Sequence, residues 1–195
     1  MRKIRIIEHI SLDGVIQSPG AREEDNQDFA YGGWIRPYGN PAGLEAVIEA
    51  QGSNFDLLLG RHTYDIFGGY WPTAGDGVLA NRLNAATKYV ATHRADNLGW
   101  APVKDLGTDI VEGIRDLKAT DGPDLIVWGS STLTPVLLEH GLVDDVVLLV
   151  YPVLLGHGKR FFEGTNPREL AFESTKTTPT GVFINTYRYV GALQI

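Results

Sequence analysis

The chain has 195 residues, 43% hydrophobic and 21% charged, which is enough apolar material for one ordinary domain and too much for a disordered chain. Its net charge of -7 argues against non-specific binding to nucleic acid or to an anionic membrane, because attraction to phosphate dominates such binding. The chain has no cysteine, which excludes disulfides and thiolate chemistry.

The N-terminal "MRKIRIIEHI" is basic and then apolar. Glu8 and His9 interrupt the run and Asp13-Gly14 ends it, so it reads as a first strand over residues 3–10 rather than a secretory segment. No stretch approaches the roughly 18 apolar residues that a membrane helix needs. The expectation is a soluble, cytoplasmic protein whose partner is a small molecule rather than nucleic acid or a membrane. Residues 11–41 are rich in Gly, Pro, Asp and Asn without a sustained period, and so form a long loop of the kind that is often functional. Leu44, Val47 and Ile48 then give a helical stripe over 42–51, with Glu45 and Glu49 turned to solvent.

"DLLLGRHTYDIF", residues 56–67, supplies a second strand that stops at Gly60 and a short helix closed by Gly68-Gly69. A further helix is expected near 76–86, a third strand at "KYVAT" (88–92), a helix over 108–119, a fourth strand at "DLIVWG" (124–129), and a helix after it carrying Leu133, Val136 and Leu137. Residues 144–155 form a strand that enters the Gly-rich turn "GHGKRFFEG". Alternating segments at 168–178 and 182–190, separated by Pro179-Thr180-Gly181, read as an antiparallel hairpin. Strands alternating with helices, followed by strand upon strand, predict a single α/β domain: three layers, a mostly parallel mixed sheet with helices on both faces, and an antiparallel C-terminal edge.

Three strand ends share one chemistry. The second strand exits into Gly60-Arg61-His62-Thr63, the third into Thr92-His93-Arg94, and the fourth into Gly129-Ser130-Ser131-Thr132. In an open parallel sheet such exits lie on one edge, where ligands bind. Glycine lets backbone approach an anion, N–H groups at a helix start donate to it, and guanidinium groups clamp phosphate as a fork. On a dinucleotide, Arg61 and Arg94 would suit a 2′-phosphate and favour NADP over NAD. Other motifs fail: "GHGKRF" lacks the features of a phosphate loop, "GSSTL" has Leu133 where a hydrolase elbow needs Gly, and the five histidines show no metal spacing, so no metal is expected. His9 in its strand, and His140 on the apolar face of its helix, read as core or capping residues.

These motifs carry a resemblance. "HISLDGVI" (9–16), "LLLGRHTYDIF" (57–67), "KYVATHR" (88–94), "LIVWGSSTL" (125–133) and "DDVVLLVYPVLLGHGKRFF" (144–162) occur in the order found in the dihydrofolate reductase-like superfamily. The chain resembles in particular the branch related to the C-terminal reductase domain of the bifunctional riboflavin-biosynthesis deaminase-reductase, without the deaminase half or its zinc motif. The resemblance implies a dihydrofolate reductase-like fold and an NADP(H) site on the carboxyl edge of the sheet. Gly60, Arg61, Thr63 and Tyr64 would match the turn at the 2′-phosphate, with Thr92 and Arg94 as a second contact. Gly129, Ser130, Ser131, Thr132 and Leu133 would match the pyrophosphate turn, and Ser11, Leu12, Gly14 and Ile16 the loop covering the nicotinamide. It also implies a homodimer through strands near the C-terminus.

The substrate side departs from the folate reductases, since no acid on the first helix takes the protonating role. Asp13 is the nearest catalytic candidate, with a plain turn aspartate as its other reading. Trp34, Trp71 and Tyr151 would line a flat substrate pocket or serve as ordinary core. The functional expectation is an NADPH-dependent reductase of a small heterocyclic or sugar-like substrate. Alternatives are the riboflavin-pathway 5-amino-6-(5-phosphoribosylamino)uracil reductase, with Lys159 and Arg160 as donors to its phosphate, and an NADP-binding sensor or interaction module without turnover. Folate reduction itself comes third.

Overall fold

In a computed structural model that describes residues 1–25 and 29–195, the apolar runs become strands β1 (Ile4–Ser11), β2 (Phe55–Gly60), β3 (Lys88–Ala91), β4 (Val103–Asp105), β5 (Asp124–Val127), β6 (Asp145–Tyr151), β7 (Arg168–Thr177) and β8 (Phe183–Ala192). Helices α1 (Pro41–Gln51), α2 (Arg61–Tyr70), α3 (Val78–Ala85), α4 (Ile110–Ala119) and α5 (Leu133–Glu139) connect them. The strands form one eight-stranded sheet in the order β4-β3-β2-β5-β1-β6-β8-β7. Pairing is parallel from β4 to β6 and antiparallel for β6 with β8 and β8 with β7. The architecture is thus the mixed α/β sheet that the alternation of elements predicted.

Strand alternation sorts the core into two layers. Leu57 and Leu59 pack with Ile7, Ile126 and Val147 against α1, α2 and α3 through Val47, Tyr64 and Leu83. Leu58 packs with Ile4, Ile6, Val127 and Val146 against α4 and α5 through Ile114, Leu117, Leu133 and Leu137. Both faces of the central strands are therefore covered, which is why they read as continuous apolar runs rather than alternating ones.

Several expectations change. A short edge strand, β4, extends the sheet beyond β3; at three residues it is too brief to show a period. Helix α2 does not stop at Gly68-Gly69 but continues to Tyr70. A side chain at Gly68 would meet the Cβ of Trp100 at 3.2 Å, so this glycine permits a close approach rather than a break. In α1 the buried residues are Ala46, Val47 and Gln51 while Leu44 is exposed, so the stripe is rotated from the expected one; Glu45 and Glu49 face solvent as expected. His140 caps the end of α5 and is exposed, because the helix ends at Glu139 before its periodicity can bury position 140. Among the described residues, no helix is long and apolar enough to cross a membrane.

Leu57 is fully buried at the centre of the first layer. Truncation by Leu57→Ala removes transfer free energy and leaves a cavity, and should lower stability by about 2–5 kcal/mol, read as a shift of the urea midpoint.

Candidate functional site

The parallel register aligns the three exits. Gly60 lies beside Ala91 of β3, and Leu57 pairs with Ile126 of β5, so β2 and β5 end level with each other. Gly60, Thr92 and Gly129 thus reach the same rim in the spatial order β3, β2, β5, with the end of β1 next along.

Hydrogen bonds lock the rim. The Ser130 hydroxyl accepts from Gly60 N at 2.9 Å and donates to Trp128 O at 2.8 Å, while Ser130 N donates to Thr63 Oγ1 at 3.0 Å. Gly129 and Ser130 both have positive φ, 53° and 54°, which bends the chain sharply between β5 and α5. A Cβ at Gly129 would stand 3.0 Å from Thr63 Oγ1, so glycine is required twice over, by conformation and by space. Thr92 Oγ1 accepts from Arg94 N at 2.9 Å and closes the turn after β3. Arg61 donates to Arg94 O at 2.6 Å and to Asp96 O at 2.8 Å, and pairs with Asp65 at 2.8 Å.

These contacts show how several of the expected site residues are engaged within the protein. Ser130, Thr63 and Thr92 hold the rim in shape, and the Ser130 hydroxyl is both buried and fully used. Arg61 braces the 94–96 turn, with its Nε and one terminal nitrogen already engaged. Tyr64 turns inward, accepting from Trp100 N at 2.7 Å; burial pushes its phenol pKa up. Leu133 and Ile16 belong to the core layer under α4 and α5. The groups left facing outward are the exposed Arg94 and Thr132, the half-exposed Ser131, and the start of α2, which no side chain caps.

The loop after β1 is laced to the segment after β6. Leu12 N donates to Val153 O, Ile16 N to Lys159 O, and Phe161 N to Gly14 O, at 2.9, 2.9 and 3.0 Å. Leu12 stands exposed above this lacing, and Gly14 takes a φ of 85° at the turn. Asp13 accepts from the Ser11 hydroxyl at 2.6 Å, from Leu155 N at 3.1 Å and from Gly156 N at 2.7 Å. Burial opposes its ionisation, but these hydrogen bonds outweigh it and hold the carboxyl at about 2. A group ionised so far below neutrality carries no proton to deliver, so the geometry favours the turn-aspartate reading over the proton donor. Further along, Asp25 receives Lys159 Nζ at 2.7 Å and lies 3.3 Å from His62 Nε2, which ties the loop to the first turn of α2. Arg160 donates to the carbonyl of Asp13.

At the carboxyl end of β1 the two faces differ. On the α1 side, His9 stacks on Trp128 at 5.4 Å and its Nδ1 lies 2.9 Å from the Tyr151 hydroxyl. Burial pushes the imidazole down to about 4 and raises the phenol, so Tyr151 donates and neutral His9 accepts. Trp34 and Tyr38 meet Tyr151 edge-on at 5.3 and 5.7 Å. Trp34 and Tyr151 are thus brought together, both largely buried; Trp71 is not with them, and packs with Phe67 and Tyr70 beyond α2. On the opposite face Glu8 is 3% exposed. It accepts from His9 N at 3.0 Å and lies near the backbone N–H of Gly129, while its Oε2 has no partner among the described residues. Burial pushes its carboxyl up to about 8. Sequence reasoning used Glu8 only as an interruption of an apolar run. An acid in a strand covered on both faces was the available signal.

A cavity of about 720 Å³ opens beside Tyr64, Asp65, Asn84 and Trp100. It lies off the β5–β1 end of the rim and includes none of the groups at the end of β1, so the chemistry of the strand ends, not the size of this hollow, marks the site.

Residues 2–184 match the RibD C-terminal domain. The chain belongs to that family. The RibD-type domain is 29% identical over 140 residues to YyaP of Bacillus subtilis (strain 168), an uncharacterized protein, spanning 69% of this chain and 74% of that one. Its fold is similar to that of a protein from Shewanella sp. PV-4 ascribed to riboflavin biosynthesis, with a TM-score of 0.67 and 20% identity over 96% of this chain and 99% of the other. It is also similar to dihydrofolate reductase from Enterococcus faecalis, solved with NADP(H): TM-score 0.60, 17% identity, 95% and 94% covered. The fold is therefore dihydrofolate reductase-like, and the RibD-type domain is an oxidoreductase domain in general terms.

Asp13 offers a test of the lacing. Its folded pKa is depressed from 3.8 to about 2, so its contribution to stability is present above about pH 4 and is lost as pH falls through 2. Asp13→Asn places an amide N–H₂ against backbone donors and should lower stability at pH 7 by about 1–3 kcal/mol. Urea midpoints measured between pH 5 and pH 2 should fall less steeply for the variant than for the parent.

Proposed function

We propose that this RibD-type domain is an NADPH-dependent reductase. A bound reduced nicotinamide would supply hydride to an electron-poor C=O or C=N carbon of a small, flat substrate, whose heteroatom would take up one proton from solvent. The observation that supports this best is the order of the rim. A guanidinium and the uncapped start of α2 stand at β3 and β2, a glycine turn at β5, and an aromatic cluster at β1. A dinucleotide phosphate tail fits the first positions and its reactive ring the last.

The bound group supplies the hydride, and the chain's own residues do the rest. Arg94 holds the 2′-phosphate as a fork, since its side chain is exposed and makes no hydrogen bond among the described residues. Backbone N–H groups of Ser131 and Thr132 face the pyrophosphate, where the tight Gly129-Ser130 turn keeps them in place. The lacing of 11–16 to 153–161 closes the site from water. Trp34, Tyr38 and the His9–Tyr151 pair line the acceptor pocket, and alignment of the bound reactants supplies about 7–11 kcal/mol of the barrier. With its Nδ1 fixed by Tyr151, neutral His9 keeps Nε2–H as a donor to a substrate heteroatom.

The riboflavin-pathway reductase is disfavoured by the fate of the two cations assigned to its substrate phosphate. Lys159 is held by buried Asp25, and Arg160 by Asp13. An uncharged substrate fits better. Folate reduction, in turn, lacks its acid on α1, where Glu45 and Glu49 are solvated.

Titration of the protein with NADPH, followed by NADPH oxidation across neutral planar carbonyl and imine compounds, tests the reading; absence of binding at submillimolar nucleotide defeats it. Binding without turnover on any of them would instead support the sensor. Arg94→Ala should weaken NADPH about tenfold or more while leaving NADH almost unchanged, because a charged hydrogen bond of ~1.5–3 kcal/mol is lost only with the 2′-phosphate. Equal losses for both nucleotides would place the phosphate elsewhere.

A further inference from the structure

Glu8 has no part in the mechanism above, yet it occupies the point where β5 and β1 separate. The last parallel pair between these strands is Ile6 with Val127, and beyond it the Glu8 carboxyl lies near the backbone N–H of Gly129 across the opening gap. In open parallel sheets the ligand crevice lies where strands part in this way. The side chain is 3% exposed, and among the described residues its Oε2 lacks a partner and no cation pairs with it. Its surroundings are apolar: Ile6 and Ile10 along β1 on the same face, and Leu148 beside it on β6. Among the described residues the charged group acting on it is the Glu24 carboxyl of the 11–41 loop, which disfavours its ionisation further. His9 points to the other face of the sheet.

We propose that Glu8 discriminates between the oxidised and reduced forms of the nicotinamide cofactor, staying protonated beside the uncharged reduced ring and giving up its proton to solvent beside the cationic oxidised one. The inference rests on the reductase reading, because the rim order carries the nicotinamide from the Gly129 turn to the end of β1. Charge balances in both cases. Protonated Glu8 and the reduced nucleotide combine without exchange of protons, whereas protonated Glu8 and the oxidised nucleotide combine with release of one. A buried carboxyl kept neutral by its surroundings, whose pKa stands at about 8, is poised for this exchange near neutral pH. The consequence is tighter binding of the oxidised form as pH rises.

The experiment compares NADP+ and NADPH binding to the full chain between pH 6.5 and 8.5. Both forms carry the same 2′-phosphate, so its titration cancels in the ratio of their dissociation constants. One released proton changes that ratio by at most ~tenfold per pH unit. Expected is a several-fold shift towards NADP+ over this range in the parent protein, and a flat ratio in Glu8→Gln. Calorimetry in buffers of different ionisation enthalpy should show between half a proton and one proton released with NADP+ at pH 7, and none with NADPH. That measurement needs no variant and decides the question even if Glu8→Gln does not fold. A flat ratio in the parent, or a shift that survives in Glu8→Gln, overturns the assignment while leaving the reductase reading intact. Failure of both nucleotides to bind overturns the reductase reading and this assignment together.

Discussion

Parallel pairing is the constraint on which the rest of this molecule depends. Parallel neighbours run the same way, so β3, β2, β5 and β1 all finish on one edge, and the returns that follow β1, β2 and β5 cross a face of the sheet through helices. That geometry covers both faces with helices and makes the central strands apolar throughout. It also gathers the turns that follow the strands into one line. A single hydroxyl, that of Ser130, then ties two of those turns together by bridging Gly60 N and Trp128 O. Without that bridge a buried N–H would be left unpaired at the centre of the rim.

The rim divides its work between groups that shape it and groups left free. Thr63, Thr92, Ser130 and Arg61 look like ligand contacts when read by type alone, yet their polar atoms are largely committed to neighbouring turns. Such commitment keeps a site preorganised, so that a bound anion meets donors already in place. Arg94 and the uncapped start of α2 remain available because nothing among the described residues satisfies them.

At β1 the alternation of a strand sets two different environments one residue apart. His9 joins an aromatic layer and is hydrogen-bonded to Tyr151, while Glu8 is pressed into an aliphatic layer with one oxygen unmatched. Burial shifts both towards their neutral forms, the imidazole down and the carboxyl up. Asp13, four residues further on, is pushed the other way by its hydrogen bonds. Groups so close in sequence and so different in ionisation come from the local supply of donors, not from residue type.

The sequence by itself determined the alternation of strands and helices, the hairpin at the end, and the three exits whose glycines and hydroxyls share a rim. These follow from local periods and from turn chemistry, which are written in neighbouring residues. The edge strand β4 and the rotated stripe of α1 were not legible, because three residues carry no period and a helix turns to fit what it packs against. Nor was the choice between shaping and binding roles for Arg61, Thr92 and Ser130, since their partners lie 2 to 70 residues away. The assembly of Trp128 and Tyr151 on His9 and of Trp34 and Tyr38 on Tyr151, and the isolation of Glu8 beside Gly129, were decided only when the sheet brought β1, β5 and β6 side by side. Hydrogen bonding and desolvation act through space, so only the folded chain fixes which polar atom is satisfied and which is left waiting.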